Sequence, residues 1–257
     1  MTKVFDAYSE YYDLLYADKD YAQEAAYVAA LINAQNSKAA TILELGCGTG
    51  AHAEHLARLG FTVHGIDMSA GMLEKAALRQ SSLADDVAAR LSFSLGDVRT
   101  ASTSSTYDVV ISLFHVMSYQ NSNMDIQNAL NTAAAHLASG GVFIFDYWYG
   151  PAVLTEQPQK RVKRLENDST KVTRIAEPVM HYEANIVEVN YSVRVEEKSS
   201  GQVTQLTEKH PMRFLFLPEI EKFAEENFRQ PQHLDWLSHD SPPTHRSWSA
   251  LSILVRS

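Results

Sequence analysis

Three glycines at alternate positions, Gly46, Gly48 and Gly50, directly follow the apolar segment TILEL. Glycine permits a positive backbone φ and lets a ligand approach the main chain, because it has no Cβ. A glycine-rich loop at the end of an apolar strand is therefore typical of a ligand site, although a tight strand-to-helix turn without a ligand explains the same pattern. One acid, Glu44, lies two residues before the first glycine and is the first clue to the charge of the ligand.

Two nucleoside cofactors fit this loop. Gly46, Gly48 and Ala51 match the dinucleotide pattern GxGxxA, and Asp67 stands about 20 residues further on, where an acid binds ribose hydroxyls. S-adenosylmethionine has ribose and adenine but no phosphate, so it needs no anion-binding helix end. Its ammonium and sulfonium groups favour an acid such as Glu44 close to the loop. The first pattern predicts an NAD(P)-dependent oxidoreductase, and the second predicts a site for a methyl donor.

A third acid helps to separate these hypotheses. Asp97 follows the apolar segment LSFSL, and a carboxylate there can accept a hydrogen bond from an adenine amino group. Taken singly, Asp67 could cap a helix that starts near Ser69, and Asp97 could belong to a turn. Three acids at successive strands favour the cationic, phosphate-free cofactor. They disfavour a third hypothesis, a non-catalytic binding protein on the same scaffold, because such a protein would not need a cofactor motif.

The order of elements predicts how these loops are positioned. Segments with strand character alternate with helical segments as far as about residue 150, and the strands are near-continuous apolar runs. This alternation is typical of an α/β fold in which helices cover both faces of a parallel sheet and ligands bind at the carboxyl ends of the strands. We predict strands at 41–45, 61–67, 91–95, 107–114, 141–148 and 249–255, and helices at 51–59, 69–80, 123–137 and 218–228.

The residues after Pro151 have a different pattern. The segments 171–180, 185–197 and 202–216 are β-rich with partial alternation, and KSSG joins the last two as a hairpin turn. We therefore predict a main domain, 1–150 with 218–257, that begins with a helical lid. The remaining residues, 151–217, form an antiparallel β insertion that covers the acceptor site or contacts a second subunit in a homodimer.

Composition limits the class of protein. The 257 residues are 45% hydrophobic and 21% charged, which suits one large α/β domain. The net charge of −9 and the lack of a long Lys/Arg stripe argue against nucleic acid and anionic membrane as partners. We see neither a signal-peptide pattern nor an apolar run of about 20 residues. The single cysteine, Cys47, fits a reducing, cytoplasmic environment.

The segments LELGCGTG, HGIDMS and GDV resemble, in this order and spacing, the motifs of class I S-adenosylmethionine-dependent methyltransferases. The resemblance covers about residues 40–150 and implies a Rossmann-like sheet of seven strands, the last one antiparallel. It also implies that the glycine loop contacts the methionine part, that Asp67 binds the ribose hydroxyls, and that Asp97 and Val98 flank the adenine. We assign the following residues to the cofactor site: Tyr16, Glu44, Gly46, Cys47, Gly48, Gly50, Asp67, Met68, Asp97, Val98 and Leu113.

A narrower resemblance covers most of the chain. The segments YYDLLYADKDYAQEA and VVISLFHVMSYQ, with the antiparallel insertion, resemble sugar N-methyltransferases, which dimethylate nucleotide-linked deoxyaminosugars in antibiotic pathways. Similar chains belong to surface-polysaccharide pathways. One departure is His115, at a position where the antibiotic enzymes have a serine. The resemblance implies a nucleotide sugar as acceptor and S-adenosyl-L-homocysteine as product, and the alternative is O-methylation of a sugar or another small metabolite.

Several side chains are candidates for contact with the acceptor. His115 follows the fourth strand and is the best candidate for a base, unless it only packs on Phe114 and Tyr119. Trp148 and Tyr149 follow the fifth strand and either form an acceptor wall or pack the insertion. We assign the following residues to the acceptor site: His115, Tyr119, Trp148, Tyr149, Arg213 and Arg246.

Tyrosines near the start of the chain form a second group of candidates. Tyr8, Tyr12 and Tyr16 are four residues apart and share one face of a helix. Tyr8 is expected to pack in the core, whereas Tyr16, at the end of that helix, can place an aromatic face beside the sulfonium or reach the substrate. Tyr16 is thus a catalytic candidate together with His115, and Tyr11 and Tyr21 are weaker ones.

A nucleotide sugar would also need cations for its diphosphate. Arg246 matches an arginine position of the sugar enzymes, and its planar guanidinium suits phosphate, with Arg213 and His210 as alternatives. For each of them, a solvated surface charge is the competing interpretation. The segment 233–246 has three histidines whose spacing puts no two of them on one helix face, and no cysteine accompanies them, so it predicts no metal site: His233, His239 and His245.

Overall fold

The computed structural model describes residue 12 and residues 14–257, so the predictions for Tyr8 and Tyr11, and most of the helical lid, lie outside the described residues. In the described part, a main sheet of seven strands has the order β3-β2-β1-β4-β5-β11-β10. These strands are β1 (Thr41–Leu45), β2 (Thr62–Asp67), β3 (Leu91–Leu95), β4 (Tyr107–Ser112), β5 (Leu137–Tyr149), β10 (Phe228–Asp235) and β11 (Ser249–Arg256). The first five strands are parallel to one another, and β11, the last strand of the chain, runs antiparallel to both of its neighbours, β5 and β10, as the resemblance implied.

The helices begin at residues that can bind their free backbone N–H groups. The side chain of Asp20 accepts from Gln23 N at the start of α1, and Ser69 accepts from Met72 N at the start of α3, which confirms the predicted cap. Ser122 and Asp125 form a capping box on α5. The helices are α1 (Tyr21–Gln35), α2 (Ala51–Arg58), α3 (Ala70–Ser81), α4 (Asp85–Ala88), α5 (Asn123–Ala135), α6 (Gly150–Thr155) and α7 (Leu217–Ala224), with 3₁₀ helices at Val116–Tyr119 and Tyr182–Ala184.

Apolar layers cover both faces of the main sheet, and β5 shows how its side chains divide between them. Val142 and Ile144 are buried on the face that α1 and α2 cover. Phe143, Phe145 and Tyr147 are buried on the face that α5 and α7 cover. Because side chains alternate along a strand, Asp146 and Trp148 belong to the first face, whereas Tyr149 belongs to the second.

The antiparallel insertion forms its own layer beside the main sheet. Its strands, in the order β9-β8-β7-β6, are β6 (Arg161–Glu166), β7 (Thr170–His181), β8 (Ile186–Glu197) and β9 (Val203–Leu215). The predicted hairpin turn joins β8 to β9, with Gly201 at φ +69°. The end of β9 pairs with β5 through Trp148 and Tyr149, so the layer extends the sheet at the carboxyl end of β5.

Two strands were not predicted, and both lie at edges of the structure. In β10, Pro231 and a register shift between Arg229 and Gln232 interrupt the pairing with β11. A proline and a bulge are tolerated at an edge but hide the strand pattern in the sequence. The predicted helix 218–228 therefore ends early, at Ala224. β6 is the other edge strand, and its charged residues are typical of an edge that avoids further pairing.

Candidate active site

The three glycines of the loop after β1 are glycine for different structural reasons. Gly46 has φ +80°, and a Cβ there would lie 2.7 Å from both Cγ atoms of Val116, so the 3₁₀ helix leaves no room for a side chain. Gly50, at φ +72°, would bring a Cβ to 2.8 Å from the Phe93 ring. Gly48 also has a positive φ, +54°, but a Cβ on it would meet nothing within 4 Å. The backbone at Gly48 is therefore open to a ligand, whereas its neighbours are needed for packing.

Asp67 fastens this loop to the end of β2. Its Oδ2 accepts from Gly48 N at 2.8 Å, and its Oδ1 accepts from Ser69 N at 2.9 Å. Burial raises the pKa of Asp67 above its ordinary value, even though the backbone donors oppose that shift. Helix α3 is capped by Ser69 itself, so Asp67 is held at the loop rather than used as the cap.

Glu44 lies beneath the loop and is 1% exposed. Burial first, and then the charge of Asp67, raises the pKa of Glu44 to about 8. Within the described residues its Oε2 has no hydrogen-bond partner, and its Oε1 lies 3.9 Å from His52 Nδ1. The other nitrogen of His52 contacts Glu24 Oε2 at 2.7 Å. At that pKa most of Glu44 is protonated near neutral pH without a ligand, and a cation bound beside it would favour the ionised form, so the loop fits a cationic ligand.

Cys47 is a packing residue. Its side chain is buried, and a Cβ on the neighbouring Gly65 would lie 2.7 Å from its Sγ. Burial, with a further contribution from the charges of Glu44 and Asp67, raises the pKa of the thiol well above its ordinary value. Because the thiolate is the nucleophile, this thiol should be inert in the folded protein.

We therefore expect iodoacetamide at neutral pH to leave native Cys47 unmodified, and to alkylate it once the chain is unfolded in denaturant. Cys47 is the single cysteine of the chain, so the mass of the intact protein reports the reaction directly. Rapid alkylation of the native protein would show that the loop opens, and the packing role would then be wrong.

Asp97, the third acid of the sequence pattern, is hydrogen-bonded to Arg99. Asp97 accepts from the backbone N and the Nε of Arg99, both at 2.9 Å, and the guanidinium also reaches Asp125 Oδ1 at 3.0 Å. The hydrogen bond from the Arg99 side chain lowers the pKa of Asp97. The carboxylate is thus ionised and fixed in position, and its remaining lone pairs can accept from an adenine amino group. That contact remains a prediction.

Apolar side chains lie at the rim beside these acids. Met68 and Leu95, at the ends of the paired strands β2 and β3, are each 66% exposed. Exposed large apolar side chains beside two acids, Asp67 and Asp97, suit a flat base such as adenine. Leu95 was missed in the sequence because it reads as the last residue of a strand. Val98 is partly buried, and Leu113 is a core residue at 1% exposure, so the Leu113 side chain does not line an open surface.

The loop after β4 is strained. Phe114 and His115 have φ values of 65° and 64°, a region that costs non-glycine residues about 1–3 kcal/mol each. The loop leads into the 3₁₀ helix, which is tied to β5 because Trp148 N donates to Ser118 Oγ at 2.9 Å. Such strain persists only where surrounding contacts impose it, and it is concentrated at functional sites.

The contacts that hold His115 come from Asp146, a residue that sequence reasoning missed. Asp146 is 1% exposed; its Oδ1 accepts from His115 N at 3.0 Å, and its Oδ2 lies 2.7 Å from His115 Nδ1. Burial alone would raise the pKa of Asp146, but the charge and the hydrogen bonds of His115 outweigh it and lower that pKa. Nε2, the other ring nitrogen, lies 3.5 Å from Ser249 Oγ.

The aromatic candidates divide between the site and the core. Tyr16 packs edge-on against Phe114, with ring centroids 5.0 Å apart, and its hydroxyl accepts from Arg174 Nη1 at 3.1 Å. Trp148 lies on the same face of β5 as Asp146, and its ring centroid is 6.3 Å from that of His115. Tyr149 is on the opposite face and 9% exposed, so its assignment to the acceptor wall is corrected to core packing.

The three side chains considered as phosphate ligands have different surroundings in the structure. Arg213 is 5% exposed, and its Nη2 donates to Glu219 and, at 2.7 Å, to Asn123 Oδ1. The prediction that Arg213 binds phosphate is corrected, because its guanidinium is used to join the starts of α5 and α7. His210 is buried between Tyr119 Oη and Glu208 Oε2, at 2.8 Å and 2.9 Å. Arg246 is exposed, in the loop that precedes β11.

Two further findings concern the described residues as a whole. In residue 12 and residues 14–257, no group of three or more His, Cys, Asp and Glu side chains could hold a metal ion. Within the same part of the chain, no helix has the length and apolar character needed to cross a membrane.

Comparison with known proteins gives consistent matches. Residues 42–141 match the model of a family described as a methyltransferase domain. A Streptomyces fradiae protein named dTDP-3-amino-3,6-dideoxy-alpha-D-glucopyranose N,N-dimethyltransferase is 34% identical over 187 residues, 72% of this chain and 70% of that protein. A Streptomyces venezuelae dTDP-3-amino-3,4,6-trideoxy-alpha-D-glucopyranose N,N-dimethyltransferase is 28% identical over 72% of this chain and 76% of that protein. The crystal structure of Streptomyces venezuelae DesVI has the same fold, with a TM-score of 0.80 at 23% identity, over 97% of this chain and 98% of that one.

Proposed function

The chain belongs to the S-adenosylmethionine-dependent methyltransferases, and from this premise we propose that it methylates the amino group of a nucleotide-linked deoxysugar. The family excludes the oxidoreductase and scaffold hypotheses for this fold. The proposed acceptor is supported by the relatives, which are named for dTDP-linked aminosugars. The structural observation that supports the proposal is the position of His115 near the carboxyl ends of β4 and β5. Its Nδ1 lies 2.7 Å from Asp146 Oδ2, and its Nε2 lies 3.5 Å from Ser249 Oγ.

The residues of the loop fit the cofactor. Gly48 leaves a space that a Cβ would fill, and Glu44 beneath it has an unused buried oxygen, which suits the positive charge of S-adenosylmethionine. We infer that Asp67 binds the ribose and that Asp97, Met68 and Leu95 surround the adenine. When bound, the cofactor supplies a methyl group activated by its sulfonium sulfur, and the electron pair of the broken bond remains on sulfur.

The protein then has to supply position and a proton acceptor. Most of the catalytic effect in such a transfer comes from holding the nucleophile in line and excluding water. We infer that Trp148, Tyr119 and Tyr16 form the walls that orient the acceptor. The Trp148 and Tyr16 rings contact the loop that bears His115, and Tyr119 ends the 3₁₀ helix that follows this loop. An aminosugar that arrives as an ammonium ion has no free lone pair, so His115 Nε2 takes its proton before transfer.

The direct test is an assay of the purified protein with S-adenosylmethionine and dTDP-linked aminosugars. Mass spectrometry should show the addition of one or two methyl groups to the amino sugar and none to the matched sugar that bears a hydroxyl at the same carbon. Methylation of the hydroxyl sugar alone would instead make the enzyme an O-methyltransferase. No methylation of any nucleotide-linked sugar would overturn the proposed acceptor class.

Arg246 is proposed to bind the diphosphate of the acceptor. It stands in the exposed loop before β11, whose first residue, Ser249, pairs with Trp148 at the carboxyl end of β5. Charge-assisted hydrogen bonds contribute about 1.5–3 kcal/mol, so Arg246→Ala should raise the KM for the nucleotide sugar about 10- to 100-fold. The Kd for S-adenosylmethionine should not change. Arg229→Ala, an exposed arginine on the edge strand β10, is the matched control, and an unaltered KM in Arg246→Ala would refute this role.

A further inference from the structure

We propose that Asp146 is a positioning residue that fixes the tautomer of His115, so that Nε2 is the basic atom presented to the acceptor. The inference rests on the proposed function, because it assigns the origin of the proton-accepting atom in that reaction. Nothing in the sequence pattern signals this role, since Asp146 lies in the middle of the apolar strand segment GVFIFDYW.

The geometry distinguishes the two nitrogens of the ring. His115 Nδ1 lies 2.7 Å from Asp146 Oδ2, where two facing lone pairs would repel each other, so the ring carries its proton on Nδ1. The contact is close but not a straight hydrogen bond. Hydrogen bonds of catalytic groups are often bent in proteins without substrate and straighten in the complex. The proton on Nδ1 leaves Nε2 with its lone pair, 3.5 Å from a hydroxyl that can donate to it, Ser249 Oγ.

Asp146 also imposes the conformation of the loop. Its second oxygen accepts from the backbone N–H of His115, a residue held at φ 64°. The carboxylate therefore fixes both the main chain and the ring of the same residue. A buried acid needed only for packing would not have to meet the ring nitrogen, and an apolar side chain would fill the interior of β5 at a lower cost in desolvation.

The other groups around this pair leave His115 as the proton acceptor. Lys19, just before α1, acts on Asp146 through its charge; its Nζ pairs with Glu24 and lies 4.3 Å from the centroid of the Phe114 ring. Tyr16 approaches from the N-terminal segment, and Trp148 from β5. From β11 the nearest polar group is the uncharged hydroxyl of Ser249. Among these groups, His115 is the one whose first ring nitrogen lies beside a carboxylate and whose second lies beside an uncharged hydroxyl.

The proton balance of the step follows from this arrangement. The ammonium group of the acceptor gives one proton to His115 Nε2 and keeps the electron pair of the broken N–H bond. That pair forms the new N–C bond when the methyl group is transferred. The imidazole becomes an imidazolium, and the carboxylate of Asp146 stays ionised and balances the charge. Release of the proton from Nε2 to solvent restores the starting state for a second methylation.

The substitution Asp146→Asn distinguishes the effect of Asp146 on the His115 tautomer from its hydrogen bond to the His115 backbone. The asparagine carbonyl can still accept from His115 N, and its NH₂ group then faces Nδ1. A donor at that point stabilises the ring form that is protonated on Nε2, which cannot accept a proton from the acceptor. The loop keeps its conformation, while the basic atom is lost.

Two measurements test the inference. In the protein without cofactor or acceptor, ¹⁵N NMR of labelled histidines should show neutral His115 protonated on Nδ1 in the wild type and on Nε2 in Asp146→Asn. His115→Asn identifies the signal. In the aminosugar assay, Asp146→Asn should lower kcat at neutral pH by at least about tenfold, with unchanged affinity for the cofactor. The loss should shrink at high pH, where the amine arrives without its extra proton.

Asp108→Asn is the matched control. Asp108 also accepts two backbone N–H groups, from Ala40 and Thr41, but at the amino end of β4. It should affect stability without changing the pH profile. The same tautomer in wild type and Asp146→Asn, or a loss of kcat that is equal at every pH, would overturn the inference. A wild-type enzyme inactive on aminosugars would overturn the proposed acceptor, and the NMR result would still decide how Asp146 acts on His115.

Discussion

Replacing His115 should lower the rate of methyl transfer to an amino sugar about 10²- to 10⁴-fold near neutral pH, the usual contribution of a positioned base. The reason is that we propose Nε2 of His115, in the loop after β4, as the atom that accepts the proton, while Nδ1 lies 2.7 Å from Asp146 Oδ2. The cofactor site is built by other residues, so the Kd for S-adenosylmethionine should stay within about twofold. Steady-state kinetics and calorimetry separate the two effects.

The choice of substitution matters because His115 has φ 64°. Alanine would be strained in this left-handed conformation, whereas asparagine tolerates it, so His115→Asn is the more informative variant. His239→Ala, an exposed histidine beside Tyr27, is the control for nonspecific effects. Full turnover by His115→Asn would remove His115 as the base and leave the reaction to positioning alone.

The glycine loop and the acids around it can be recognised in the sequence because these residues are local in the chain. Gly46, Gly48 and Glu44 lie within five residues, and Asp67 follows the next strand. Glycines with positive φ and acids after apolar strands are recognisable one segment at a time. The α/β fold could be predicted for the same reason, since the alternation of strands and helices is also a local pattern.

The acceptor side could not be predicted as well, because its roles depend on contacts between distant segments. Asp146 meets His115 across β4 and β5, 31 residues apart in the chain. Arg213 was expected to bind phosphate, but its guanidinium donates to Glu219 and Asn123 instead. Tyr149 adjoins Trp148 in sequence yet lies on the opposite face of β5, and only the register of the strand decides which one faces the site.

Replacing Asp67 should have the largest effect on cofactor affinity. Its carboxylate holds the loop through Gly48 N and Ser69 N, and we propose that its remaining lone pairs accept from both ribose hydroxyls. Asp67→Ala removes those charge-assisted hydrogen bonds and releases the loop at the same time. At about 1.5–3 kcal/mol for each such bond, the Kd for S-adenosylmethionine should rise at least about 100-fold.

The two parts of this effect can be separated with Asp67→Asn. The amide oxygen can still accept one backbone N–H, but its NH₂ group cannot accept from a ribose hydroxyl. Burial raises the pKa of Asp67, so removing its charge relieves a desolvation cost, whereas the NH₂ group facing the second backbone N–H costs one hydrogen bond. These two effects oppose each other, so thermal unfolding without cofactor should show a small change, while calorimetry with S-adenosylmethionine and S-adenosylhomocysteine shows weaker binding of both. Wild-type affinity in Asp67→Asn would mean that Asp67 only supports the loop, and that other residues hold the ribose.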